Sequence, residues 1–147
     1  MTKKFIRILL VEDNEGDVRL TREALRESQI QHQLYVVENG VEALEFLNSK
    51  RGMSKEGRPD IILLDLNLPE KDGREVLQEI KVDQDLRRIP VIVLTTSNDE
   101  QDILTSYDLH ANCYISKPID IRTFQSVVQQ IEQFWFSIVR LPSHNFM

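Results

Sequence analysis

The sequence predicts an α/β domain: a doubly wound, five-stranded parallel sheet in the strand order 2-1-3-4-5. Three observations predict it. Short apolar runs alternate with helix-period segments five times along the 147 residues, the pattern of a parallel sheet with right-handed crossovers. Apart from Arg7 and Gln33 the runs are apolar, as strands buried on both faces are. Four of them end on polar residues: Ile6 to Val11 at Glu12-Asp13, Ile61 to Leu64 at Asp65, Val91 to Leu94 at Thr95, and Cys113 to Ile115, followed by Ser116, at Lys117. Ligands of open α/β sheets bind outside the carboxyl ends of the strands, so these residues are expected along one edge.

Each element has its own warrant. Ile6 to Val11 is the first strand, and Glu15 to Ser28 a helix with Val18, Thr21, Ala24, Leu25 and Ser28 on its inner side. Gln33 to Val37 is the second strand, and Asn39-Gly40 turns the chain into the next helix. That helix carries Val41, Leu44 and Leu47 at three-residue steps, flanked by Ala43 and Phe46. Asn48 to Pro59 is a polar loop, expected as a solvated insertion. Ile61 to Leu64 is the third strand. Gly73 to Val82 is a helix with Val76, Leu77 and Ile80 inward. Pro90 leads into the fourth strand, and Asp99 to Leu109 is a helix with Ile103, Leu104 and Tyr107. The short fifth strand and a last helix from about Ile121 complete the expected order.

Composition narrows the function. An apolar fraction of 41% and a charged fraction of 29% suit one folded domain with a real core. The net charge of −6, with scattered basic residues, argues against nucleic-acid binding. The single cysteine, Cys113, rules out an internal disulfide framework and fits a reducing compartment. No apolar stretch approaches membrane-spanning length, and Met1 to Phe5 runs directly into a strand, so a cytoplasmic protein without a signal peptide is expected.

Strands one and three are neighbours in this order, which brings Glu12 and Asp13 to Asp65. Clustered carboxylates need a cation to remain ionised. Mg²⁺ suits them, because it takes one or two carboxylates, keeps waters and accepts phosphate oxygens. Asp13 is then a direct ligand, Glu12 binds a metal-held water, and the Asn67 backbone carbonyl offers a further oxygen. Asp65 is the candidate nucleophile, forming an aspartyl phosphate. Lys117 offers a positive charge to a phosphate oxygen, and Thr95 a hydroxyl donor. The N–H groups of Leu66, Asn67 and Thr96 complete a cradle. Taken singly, each residue has a plainer role: an aspartate after a strand is usually a turn former or helix cap, and a lone lysine a solvated one. The coincidence at successive strand ends carries the case.

Over roughly Lys4 to Ile131 the chain resembles the receiver domain of two-component response regulators. The carrying residues are Glu12-Asp13, the run Asp65-Leu66-Asn67-Leu68-Pro69-Glu70-Lys71-Asp72-Gly73, Thr95, Tyr114 and Lys117-Pro118. The resemblance implies that Asp65 takes a phosphoryl group from a phosphohistidine on a sensor histidine kinase. It implies that Glu12 and Asp13 hold Mg²⁺, that Thr95 and Lys117 contact the phosphoryl group, and that the bond before Pro118 is cis. It also implies a switch, with Thr95 moving towards the phosphoryl group and Tyr114 turning inward behind it.

The receiver core is expected at about residues 4–131 of a single domain spanning 1–147, with a helical extension at about 132–147 too short for an output domain. Phe124, Val127, Val128, Ile131, Phe134, Trp135 and Ile138 form one stripe, and Phe136 and Val139 lie off it. Two outcomes stay open: the extension folds back on its own domain, or Phe134, Trp135 and Phe136 form a homodimer face. The loop before strand three and this extension resemble the single-domain regulators paired with cyanobacterial phytochromes, which implies a phytochrome kinase and dimerisation. Competing functions are a phosphatase of the haloacid-dehalogenase type, a flavodoxin-like cofactor carrier and a binding-only degenerate receiver. The first wants an aspartate where Asn67 stands. The second wants a Ser-, Thr- or Gly-rich loop where Glu12-Asp13-Asn14-Glu15 stands. The intact Asp65 and Lys117 argue against the third. The expected activity is self-phosphorylation and autodephosphorylation without turnover of a metabolite.

Overall fold

The computed structural model describes residues 6–27, 31–49, 58–95 and 113–116, together with positions 122 and 126. In chain order these form β1 (Ile6–Val11), α1 (Glu15–Glu27), β2 (His32–Val37), α2 (Gly40–Ser49), β3 (Ile61–Asp65), α3 (Gly73–Val82), β4 (Val91–Thr95) and β5 (Cys113–Ser116). A 3-10 turn at Leu86–Arg88 separates α3 from β4. The strands make one sheet in the order β2-β1-β3-β4-β5, and every pairing is parallel. This is the predicted fold and strand order. The predicted helix at 99–109 and the loop residues 50–57 lie outside the described residues; of the predicted helix beyond 121, only Arg122 and Ser126 are described, and both are helical.

Alternation along the strands divides the core in two. Leu9 and Val11 of β1, Ile62 and Leu64 of β3, and Val91 and Val93 of β4 pack with Ala43, Leu47, Val76, Leu77 and Ile80 of α2 and α3. Ile8, Leu10, Ile61, Leu63, Ile92 and Leu94 face the other way, onto Ala24 and Leu25 of α1. Successive side chains of a strand point to opposite faces, so the stretches covered by helices on both sides, Ile8 to Val11 and Ile61 to Leu64, are apolar throughout. All five residues of β3 are buried. The β2 edge differs: β2 is half-buried, with the Tyr35 ring packed at 5.4 Å and tilted by 44° against Phe46 of α2.

Two details differ from the sequence expectation. β2 begins at His32, one residue earlier than expected, because Ile6 N–H donates to Gln31 O and starts the ladder there. Val41 is 42% exposed, whereas Gly40, Ala43 and Leu47 are the buried residues of α2. The helix is rotated so that Gly40, not Val41, meets α3: a Cβ there would lie 2.6 Å from Val76 Cγ2.

Candidate functional site

Register builds the site. β1 pairs with β3 so that Val11 stands opposite Leu64. One residue further on, the same register sets Glu12 beside Asp65. Glu12 N–H donates to Val37 O at 3.0 Å, so the β1–β2 ladder continues through this position. Both residues keep the phase of Ile8, Leu10, Ile61 and Leu63, which face α1. Their side chains are therefore carried to one face at the carboxyl edge. Glu12 is 1% exposed and Asp65 4% exposed, while Asp13 is open to solvent. Carboxylate oxygens of Glu12, Asp13 and Asp65 lie within 4.8 Å of one another.

Local backbone orients these groups. Asn14 caps α1, its Oδ1 accepting the Asp17 N–H at 2.9 Å. The Asn14 N–H donates to Glu12 Oε2 at 3.3 Å, which ties the buried glutamate to the start of α1. Asn67 N–H donates to Asp65 Oδ1 at 3.0 Å and fixes the rotation of that carboxylate. Leu66 N–H reaches Leu94 O at 3.3 Å and carries the β3–β4 ladder past Asp65.

The run from Asp65 to Gly73 now has a physical explanation. Asp72 is the N-cap of α3, accepting the Arg74 N–H at 2.7 Å. Gly73 N–H donates to Leu66 O at 3.0 Å. A Cβ at Gly73 would collide with Asp65 O and Leu66 Cα, so only glycine lets α3 start directly on the end of β3. Glu70 lies in the left-handed region at φ 66°, a conformation that costs a non-glycine residue roughly 1 kcal/mol. Lys71 pairs with Glu79 at 2.6 Å, and this hydrogen bond raises the lysine pKa above its ordinary value.

Of the residues singled out from sequence, Glu12, Asp13 and Asp65 are brought together. Thr95 ends β4, its backbone paired with Ser116, and the Tyr114 backbone pairs with Val93. Asn67 is exposed and two residues after Asp65 in the chain, with its N–H on the carboxylate. Lys117, Pro118, Phe134, Trp135 and Phe136 lie outside the described residues. The capping role of Asp72 was within reach of the sequence, since Asp-Gly stands just before an apolar-periodic segment. The seat of Gly40 on Lys71 had no sequence signal, because it is a contact between distant backbone segments.

Two buried carboxylates and one exposed one, all hard oxygen donors at a strand edge, fit a divalent cation that retains water and takes phosphate oxygens. The response regulator receiver domain profile matches residues 8–129. The chain belongs to this family. Response regulator Rcp1 of Synechocystis sp. is 51% identical to the receiver over 136 residues, 92% of each chain. The phosphorylated cyanobacterial phytochrome response regulator RcpA superposes with a TM-score of 0.74 at 51% identity, covering 91% of the receiver and 96% of RcpA. The Mn²⁺-bound form of Rcp1 superposes at 0.72, with 51% identity over 88% of the receiver and 94% of that chain. The receiver is thus a phosphoacceptor module of two-component signalling, similar to phytochrome response regulators, with a histidine kinase as its partner class. This sets the phosphatase and cofactor-carrier alternatives aside. No helix among the described residues is long and apolar enough to cross a membrane.

Proposed function

We propose that Asp65 is the phosphoacceptor and that Glu12, Asp13, Asp65 and the Asn67 carbonyl hold Mg²⁺ beside it. The observation that carries this is the gathering of three carboxylates, from the ends of β1 and β3, within 4.8 Å. A carboxylate oxygen of Asp65 attacks the phosphorus of a kinase phosphohistidine. The O–P bond forms as the N–P bond breaks, and the electron pair stays on the imidazole nitrogen. The bound cation supplies charge neutralisation for the transferring group. The Asn67 N–H holds Asp65 Oδ1 so that the carboxylate does not rotate freely during attack. Thr95 and Lys117 contact the phosphoryl group once it is attached, and Thr95 and Tyr114 form the switch. Water later hydrolyses the acyl phosphate, so the module returns to its starting state without a metabolite being turned over.

Residues 1–147 act as one receiver domain in this reading, with a core at about 4–131, a helical extension and a cytoplasmic setting. The similarity to RcpA and Rcp1 supports a phytochrome-type sensor kinase as donor. The aromatic run Phe134-Trp135-Phe136 supports a homodimer face. Two measurements test the phosphoacceptor and the dimer. Incubation with Mg²⁺ and acetyl phosphate, followed by intact mass, adds one phosphoryl group to the parent chain and none to Asp65→Asn. Sedimentation of the same samples gives a dimer that Trp135→Ala weakens. An unmodified parent chain would sink the phosphoacceptor assignment, and a monomer at micromolar concentration would sink the dimer.

A further inference from the structure

The loop between β3 and α3 is gripped at both ends, and one grip comes from a helix outside the site. At its Leu66 end, Leu66 O accepts the Gly73 N–H at 3.0 Å and Leu66 N–H donates to Leu94 O at 3.3 Å. At its other end, Lys71 Nζ pairs with Glu79 of α3, and within the loop Lys71 N–H donates to Pro69 O at 2.7 Å and closes a tight turn. Between them Glu70 holds φ 66°. The first residue of α2, Gly40, is seated directly on Lys71: a Cβ at Gly40 would lie 2.6 Å from Lys71 O and 2.8 Å from Lys71 Cβ. Real Cβ atoms do not approach that closely, and Lys71 O is backbone that cannot swing aside. Asn39 fixes α2 in turn, its Oδ1 accepting the Glu42 N–H at 2.8 Å, while Glu42 Oε1 accepts the Glu38 N–H at 3.0 Å.

We infer that Gly40 is a positioning residue for the metal and phosphoryl site. It seats the Lys71 end of the loop, and through the short pinned segment it sets Asn67, whose N–H holds Asp65 Oδ1. With Leu66 and Lys71 both held, a push at Lys71 has few places to go. It passes into Asn67 to Glu70, where Glu70 already occupies a disfavoured conformation. Substitution at Gly40 therefore turns the Asp65 carboxylate although no Gly40 atom touches the site. This rests on the reading of Glu12, Asp13 and Asp65 as the Mg²⁺ site.

The test is Mg²⁺ titration calorimetry on the intact parent chain, Gly40→Ala and a control, Ala43→Gly, which loosens the same helix away from the loop. Amide NMR of Asn67 and thermal melting accompany it. Gly40→Ala is expected to weaken Mg²⁺ binding on the order of ten-fold, as loss of a group supporting a metal ligand does, and to shift the Asn67 amide. Ala43→Gly lowers the melting temperature but keeps the parent affinity and Asn67 shift. Lys71→Gly, which removes the Lys71 Cβ against Gly40 and the pair with Glu79 and so loosens the seated end of the loop, weakens binding in the same direction and stands in if Gly40→Ala does not fold. A folded Gly40→Ala with parent affinity, or an Ala43→Gly weakened as much, overturns the inference and leaves the site reading intact. So does Lys71→Gly with parent affinity where Gly40→Ala fails to fold. A parent chain that binds no Mg²⁺ overturns both.

Discussion

Replacing Asp65 by Asn removes one of two buried carboxylates that stand side by side on neighbouring strands and keeps the oxygen that accepts the Asn67 N–H. When both are ionised, Glu12 and Asp65 repel, and a cation relieves that repulsion. At their 4.8 Å limit of separation, two unit charges cost about 0.9 kcal/mol at the permittivity of water and about 3.5 kcal/mol at an effective value near 20. Both side chains are at least 96% buried, so the interaction sits towards the larger value. Part is returned, because a neutral amide oxygen is a weaker acceptor than a carboxylate. The metal-free variant is thus expected to be roughly 1–3 kcal/mol more stable than the parent. At about 3 °C per kcal/mol for a chain of this size, its melting temperature rises by roughly 3–9 °C. Saturating Mg²⁺ reverses the order of benefit: it stabilises the parent by mass action and the variant much less. Differential scanning calorimetry at low ionic strength, with EDTA and then with Mg²⁺, reads both effects. A variant that melts at or below the parent in EDTA, and gains as much from Mg²⁺, would refute the picture of a repulsive carboxylate pair relieved by a cation.

Two further substitutions probe the frame around the site. Asp72→Ala removes the α3 cap on Arg74 N–H and should lower stability by about 1 kcal/mol; the urea midpoint falls with an unchanged m-value. Lys81 reaches Arg87 O at 3.4 Å and Ile89 O at 3.2 Å, and burial pushes its pKa below the ordinary lysine value. The folded chain then loses this proton at lower pH than the unfolded chain. The contribution of Lys81 to stability is fully present above the unfolded pKa and lost as pH falls through the folded one. The unfolding free energy of the parent relative to Lys81→Met should rise as alkaline pH approaches the ordinary lysine value, and a flat difference in pH-resolved urea melts would count against it.

Strand ends were legible because the strands themselves were. Ile8 to Val11 and Ile61 to Leu64 are apolar at every position, so the first polar residue after each run marks the carboxyl edge with little ambiguity, as Glu12 and Asp65 do. Helix α3 was legible for a similar reason: Val76, Leu77 and Ile80 form one narrow stripe, and all three are buried. Helix α2 was not. Its apolar residues at 41, 43, 44, 46 and 47 cover more than half the helix surface, so periodicity alone admits several rotations. The structure chooses the one that puts Gly40 against Lys71 and Val76, and Val41 is left exposed as a consequence. The 3-10 turn at Leu86–Arg88 escaped for another reason. It is too short to show a period, and its start is set by Asp83 Oδ1, which accepts the Asp85 and Leu86 N–H groups at 2.9 and 3.1 Å.

The same contrast explains why chemistry was easier to find here than its positioning. A carboxylate advertises itself by type, and the crossover from β1 to β3 brings Glu12 and Asp65, 53 residues apart in sequence, onto one face through register alone. No side chain has to be chosen for that to happen beyond those that make the strands. The loop that orients Asp65 is different. Its shape is set by Gly73 on the end of β3 and by Gly40 on Lys71, two contacts that exist because a side chain is missing. A glycine in a sequence signals freedom or closeness without naming the partner. The partner is supplied by the packing of α2 and α3 on the same face of the sheet. The nucleophile is therefore written in residue type and strand order, whereas its orientation is written in how closely two helices can approach the loop that follows it.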